Sequence, residues 1–167
     1  ELQAAANVPC ELPILKSAFI FSALTGLRWS DIEKLVWSEV QQSDQSGYYI
    51  RFRQKKTKGA ETLPISEQAF NLLGKRGKPE SKVFEGLYYS AWHNLKLREW
   101  VMKAGITKHI TFHCARHTYA TLQITLGTDI YTVSKLLGHR HLKTTEIYAK
   151  VIDHKKQEAA NKIKLDL

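Results

Sequence analysis

The chain has 167 residues, 43% hydrophobic and 25% charged, enough for one domain with a proper core. Its 25 Lys and Arg against 16 Asp and Glu leave a formal net charge of +9, a surplus that suits a polyanion partner, because each neutralised phosphate releases condensed counterions. No apolar run is long enough to span a bilayer, so no membrane role is expected.

Cys10 and Cys114 are too few for a disulfide framework, and a reduced, cytoplasmic setting is the default expectation. The opening residues lack the basic and apolar regions of a signal peptide, and the absence of a starting Met reads as a segment of something longer. Residues 1–12 read as a linker remnant, with Pro9 and Pro13 on either side of Cys10. From Leu12 the pattern is helical through Leu15, Ala18 and Phe19, with Thr25-Gly26 as the stop. Ser30 and Glu33 have the spacing of a capping box, and Ile32, Leu35 and Val36 supply the apolar stripe of the next helix.

A β region follows. Tyr48-Tyr49-Ile50-Arg51-Phe52-Arg53 alternates as a half-buried strand does, with Glu61-Thr62-Leu63-Pro64-Ile65 as its partner. Between them, Lys55-Lys56-Thr57-Lys58-Gly59 forms a basic turn. Ser66, Ala69, Phe70, Leu72 and Leu73 then predict a short helix stopped by Gly74, and residues 75–82 a basic loop. Tyr88 to Ala104 predicts a longer amphipathic helix carrying Trp92, Leu95, Leu97 and Trp100. The fold class is therefore mainly α with a small antiparallel β-sheet (α+β).

The stretch from Thr111 to Tyr148 holds most of the chemistry. Thr111 is a candidate cap for a helix on which His113 and Arg116 lie three residues apart and so share a face. Thr128 is a candidate start for a second helix that runs into Leu136-Leu137-Gly138 and delivers His139 just past its end. Tyr148 follows nine residues later. Asp153 to Leu167 predicts a final helix with Ala160, Ile163 and Leu167 on one side.

Thr25-Gly26-Leu27-Arg28, His113-x-x-Arg116, Leu137-Gly138-His139 and Tyr148, in that order, resemble the catalytic domain of tyrosine recombinases, the phage integrase family. The resemblance runs over roughly residues 12–155. It implies the recombinase catalytic-domain fold over residues 13–152, with residues 153–167 as a C-terminal helix able to dock on a neighbouring protomer. It also implies catalytic roles for Arg28, Lys56, His113, Arg116 and His139, with Tyr148 as nucleophile. Lys56 is assigned by its place in the turn, eight residues before Pro64, with Lys55 and Lys58 close by. Asp31 reads as a support for Arg28.

The chemistry is also intelligible from the side chains. A phosphodiester under in-line attack gathers negative charge on its non-bridging oxygens, and Arg offers a permanently charged planar fork to meet it. His can donate to the same oxygens or relay a proton. A phenol with an ordinary pKa near 10 needs such a cationic neighbourhood to attack at neutral pH. A lysine on a turn can protonate the leaving oxygen. No cofactor and no metal are called for, since the arginines supply the charge.

The resemblance further implies double-stranded DNA as partner, cleaved and rejoined through a 3′-phosphotyrosyl intermediate. It implies a tetramer of the full-length protein on two duplexes, in a cytoplasmic, nucleoid-associated setting; a catalytic fragment alone can be monomeric. Strand cleavage in the manner of type IB topoisomerases, or DNA binding without catalysis, are the alternatives. His113 and His117 also have the four-residue spacing of a zinc pair, but Cys114 stands where a zinc hydrolase of that pattern has its Glu base.

Overall fold

The computed structural model describes residues 1–45, 47–53 and 60–148. They fall into two compact units that divide between His117 and Thr118.

The first unit is arranged around helix α2 (Pro13–Thr25). Proline at its first position gives up no hydrogen bond, because the first-turn N–H groups have no partner inside a helix. Gly26 ends it with φ +72°, and its N–H donates to the Ser22 carbonyl at 2.8 Å. The turn needs a residue that tolerates the left-handed region, which Gly does without steric cost. Ser22, fully buried, donates its hydroxyl to the Leu27 carbonyl at 2.8 Å and so fixes the chain on its way to Arg28.

Residues 1–12, expected as a linker, instead begin with helix α1 (Leu2–Asn7). Leu-Gln-Ala-Ala-Ala-Asn is a strong helix former. Its Ala5 is buried, and the Trp100 indole N–H is shared between the Ala5 and Val8 carbonyls at 3.1 and 3.0 Å.

Helix α3 (Trp29–Lys34) starts one residue before the expected cap. Arg28 is at its N-cap position, with no capping bond from its side chain to the helix backbone, and Ser30 lies inside. The helix also stops before Leu35 and Val36. Leu35 is nevertheless buried, while Val36 leaves the helix to form a bridge with Lys82. The carboxylate that caps does so further on: Glu39 accepts from the Val36 N–H at 3.1 Å, opening a single 3₁₀ turn at Trp37–Glu39.

The sheet has three strands rather than two. Strand β1 (Val40–Ser43) pairs with β2 (Gly47–Arg53), which pairs with β3 (Ala60–Ile65), antiparallel throughout in the order β1-β2-β3. Only Val40 of β1 is apolar and buried, too little to announce a strand. Pro64 sits opposite Tyr49 on an edge strand, where its missing N–H can be tolerated. Helix α4 (Glu67–Asn71) is capped by Ser66, whose hydroxyl accepts from the Ala69 N–H at 3.2 Å.

Residues 75–82 do more than connect. Arg76 donates to the Trp37 and Val40 carbonyls, both at 2.9 Å, and lies over the Trp37 ring. Gly77 passes so close to that indole that a Cβ would stand 3.0 Å from its Nε1.

Helix α5 (Ala91–Lys103) is capped by Ser90 and buries His93, Leu97, Trp100 and Val101. Trp92 and Leu95, expected with its apolar residues, lie on the exposed side. An edge-to-face series of rings, Trp100 to Phe19 to Phe112 to Trp29, runs through the unit at centroid separations of 5.6, 5.6 and 4.6 Å.

Helix α6 (His113–Thr125) begins in the first unit and ends in the second. In the second unit, α7 (Ile130–Leu136) is capped by Asp129 rather than Thr128. The Asp129 carboxylate accepts from the Thr132 N–H at 2.9 Å and its hydroxyl at 2.6 Å, whereas Thr128 donates to Gln123. Those bonds hold the Asp129 carboxyl below its ordinary pKa. A 3₁₀ segment, Leu142–Tyr148, follows α7. The core of this unit is Tyr119, Ala120, Ile124, Val133, Leu137 and Tyr148. The expected final helix at 153–167 lies outside the described residues. Among the described residues no helix is long and apolar enough to cross a membrane.

Candidate active site

Arg28 enters the site from the turn that ends α2. Its guanidinium stands 4.0 Å from the Asp31 carboxylate, which is nearly fully buried and is also 3.8 Å from the Lys34 ammonium. A buried carboxylate between two cations favours one placement of Arg28 and leaves a positive surplus around it.

His113 and Arg116 occupy the first turn of α6. His113 is exposed, while Arg116 is 5% exposed and donates from Nη1 to the Gly26 carbonyl. That bond joins residues 90 positions apart and fixes the backbone two residues before Arg28. The bond thus ties Arg116 to the segment that carries Arg28. Packing adds a second tie: the Trp29 ring, next to Arg28, meets the edge of Phe112, next to His113, at 4.6 Å. Trp29, Tyr89, Leu95, Arg98, Phe112 and His113 line an open cleft of about 610 Å³.

Ahead of α6, the Thr111 carbonyl accepts from the Cys114 N–H at 3.0 Å and the Cys114 thiol accepts from the Thr111 N–H at 3.4 Å. His117 lies one turn beyond His113, with ring centroids 4.5 Å apart and planes at 89°. Its half-burial, with the Arg116 guanidinium beside it, pulls the His117 imidazole below its ordinary value, so it is neutral at neutral pH.

In the second unit, Gly138 (φ +61°) donates to the Lys135 carbonyl at 2.8 Å and His139 N–H to the Ser134 carbonyl at 2.9 Å. This C-terminal turn of α7 presents His139 as expected. Its Nδ1 is 2.8 Å from the hydroxyl of Thr145, which is fully buried. Tyr148, three residues on, is 8% exposed and packs in the core of the unit, so its ring is anchored by apolar contact. His139, through Thr145, and Tyr148, through the core, are both tied to the 3₁₀ segment of this unit. Lys56 lies outside the described residues. Among the described residues no group of three or more His, Cys, Asp or Glu is placed to hold a metal ion.

Two positioning contacts, Trp29 with Phe112 and Thr145 with His139, have no local signal along the chain. Trp29 and Phe112 are single aromatics flanking Arg28 and His113, and their meeting depends on the packing of distant segments. Thr145 looks like an ordinary polar residue until the chain folds back on His139.

Residues 2–155 match the phage integrase family. The chain belongs to that family. Among its relatives is a tyrosine recombinase of Pseudothermotoga lettingae, 32% identical over 146 residues, covering 83% of this chain and 50% of the relative. The integrase of Haemophilus phage HP1 is 33% identical over 125 residues, 75% of this chain and 34% of the relative. This member of the phage integrase family therefore spans half or less of the length of these two relatives. Its fold resembles the catalytic domain of bacteriophage HP1 integrase, with a TM-score of 0.64 and 27% identity over 93% of this chain and 87% of that one. It also resembles the XerH site-specific recombinase bound to palindromic difH substrate, with a TM-score of 0.70 and 18% identity over 96% of this chain and 50% of that one. The mainly helical fold with its small antiparallel sheet is that of tyrosine recombinase catalytic domains.

Proposed function

We propose that this chain is the catalytic portion of a site-specific DNA recombinase that cleaves and rejoins strands through a 3′-phosphotyrosyl intermediate. The observation that carries this reading is the bond from Arg116 to the carbonyl of Gly26, two residues before Arg28. It ties one guanidinium to the segment that carries the other, and the three-residue spacing puts His113 on the helix face of Arg116. Such a pair meets the charge that develops on a phosphoryl group, without a metal. In this scheme Arg28 and Arg116 bind the non-bridging oxygens while His113 and His139 donate to them or relay the phenolic proton. Lys56 protonates the leaving 5′-oxygen, and the Tyr148 oxygen attacks phosphorus as the P–O5′ bond breaks. Asp31 keeps Arg28 in place.

The partner is double-stranded DNA, as the net charge of +9 supports together with the Tn1549 transposon integrase of similar fold, solved in complex with circular intermediate DNA. The whole protein would act as a tetramer on two duplexes, cytoplasmic and nucleoid-associated, with residues 13–152 as the catalytic segment and 153–167 as a docking tail.

The test is covalent capture. The full-length protein, incubated with a nicked duplex carrying a target obtained by selection, should form a protease-trimmable adduct mapped to Tyr148. Tyr148→Phe should abolish the adduct with little change in DNA affinity, and EDTA should have no effect. An adduct formed by the Phe variant would remove Tyr148 from the role. Activity lost on EDTA and restored by zinc would overturn the metal-free scheme.

A further inference from the structure

His117 takes no part in the proposed phosphate chemistry, yet its ring stands 4.5 Å from that of His113, at 89° to it. His113 is exposed and His117 half-buried, so an ion can reach the pair from solvent. The four-residue spacing places both rings on one face of a 13-residue helix. A transition metal sits about 2.0–2.1 Å from an imidazole nitrogen, hence about 3.2 Å from the ring centroid. Two imidazoles whose bonds to one ion make a right angle at that ion would then have centroids about 4.5 Å apart, and at the tetrahedral angle about 5.2 Å, whatever the angle between their planes. The observed separation is at the near end of that range. On a helix the i, i+4 spacing lets two histidine side chains turn toward one ion with the backbone left as it is.

We propose that His113 and His117 form a two-ligand site for an imidazole-seeking divalent ion, Cu²⁺ before Ni²⁺ and Zn²⁺, whose binding withdraws His113 from the phosphate. The order follows the general affinity series for nitrogen ligands. Two ligands leave several coordination positions to water, and the Arg116 guanidinium lies nearby, so binding is exchangeable rather than structural. The ion is an inhibitor and not a cofactor. This second half of the proposal rests on the role given to His113 above; the site itself does not.

The test therefore reads binding separately from activity. Cu²⁺ is titrated into the full chain by calorimetry, and its paramagnetic broadening is mapped on the amide spectrum. Broadening should centre on residues 113–117, and His117→Gln and His113→Gln should each weaken binding by a factor on the order of ten or more, as expected when a chelate is reduced to one ligand. Broadening centred instead on His139 and His141, or affinity unchanged in His117→Gln, would overturn the site. In the nicked-duplex assay the same ion should slow adduct formation in the wild-type protein, reversibly on adding EDTA, and much less in His117→Gln. An ion held at the pair that leaves cleavage untouched would overturn the withdrawal of His113 while the site stands.

Discussion

Replacing Thr145 by Val tests whether His139 is held for its task or simply happens to lie near it. Val keeps the shape of Thr and puts a methyl in place of the hydroxyl that sits 2.8 Å from His139 Nδ1. Thr145 is fully buried, so no cavity opens and water cannot take the place of the hydroxyl on its side of the bond. A hydrogen bond of this kind contributes about 1 kcal/mol net, up to about 3 kcal/mol where a buried partner is stranded. His139 is only half-buried, so water can reach it, and the lower figure applies. A loss of about 1 kcal/mol lowers the melting temperature by about 2–4 °C in a chain of this size. It also slows a step that depends on the orientation of His139 by about fivefold, on the scale of tenfold per 1.4 kcal/mol. Where the Thr145 hydroxyl donates to Nδ1, the ring proton is on Nε2, the tautomer able to donate to a phosphate oxygen. Thr145→Ser keeps the hydroxyl and loses a buried methyl, so it should lose comparable stability yet cleave at close to the wild-type rate. Melting curves and single-turnover adduct formation on a nicked duplex, measured on both variants, decide the matter. Wild-type cleavage by the Val variant, or equal slowing in both variants, would refute the reasoning.

Lys56→Ala should be slow on ordinary DNA and largely rescued when the bridging 5′-oxygen is replaced by sulfur, a leaving group that needs no acid; equal defects on both substrates would move the role elsewhere. Gly77→Ala should cost about 1–3 kcal/mol by thermal denaturation, because the new Cβ would lie 3.0 Å from the buried Trp37 indole. Deleting residues 153–167 from the full-length protein should leave single-site cleavage measurable but reduce assembly of the two-duplex complex, read by native gel; normal assembly would deny the tail a coupling role.

Much of this architecture was legible in the sequence because it rests on local signals. Gly26 marks the end of α2 by its own backbone preference, and Tyr48–Arg53 shows its strand by alternation. Ser66 caps α4 as its chemistry suggests. What escaped depends on partners far along the chain. Helix α1 is held to α5 by Trp100, 95 residues from Ala5, and β1 is a strand because β2 is there to pair with it. At the start of α7, Thr128 and Asp129 are both good caps. The contest went to the carboxylate, which accepts two bonds from Thr132 while Thr128 turns to Gln123. The same division holds at the site. The spacing of His113, Arg116, His139 and Tyr148 can be read along the chain, but Thr145 and the Gly26 carbonyl acquire meaning only through contacts made after folding.

The bond from the Arg116 guanidinium to the Gly26 carbonyl changes what a mutant rate can mean. Arg116 is both a charge in the proposed site and a strut beneath the loop that carries Arg28. Replacing it with Ala removes the charge and releases that loop together, so its kinetic penalty already contains part of the penalty for losing Arg28. A double-mutant cycle on the two positions should therefore be strongly sub-additive. Neither single value would then measure the worth of one arginine to the transition state. An evolving chain faces the same coupling. In the proposed scheme, a chain that loses Arg116 loses with it part of what Arg28 supplies.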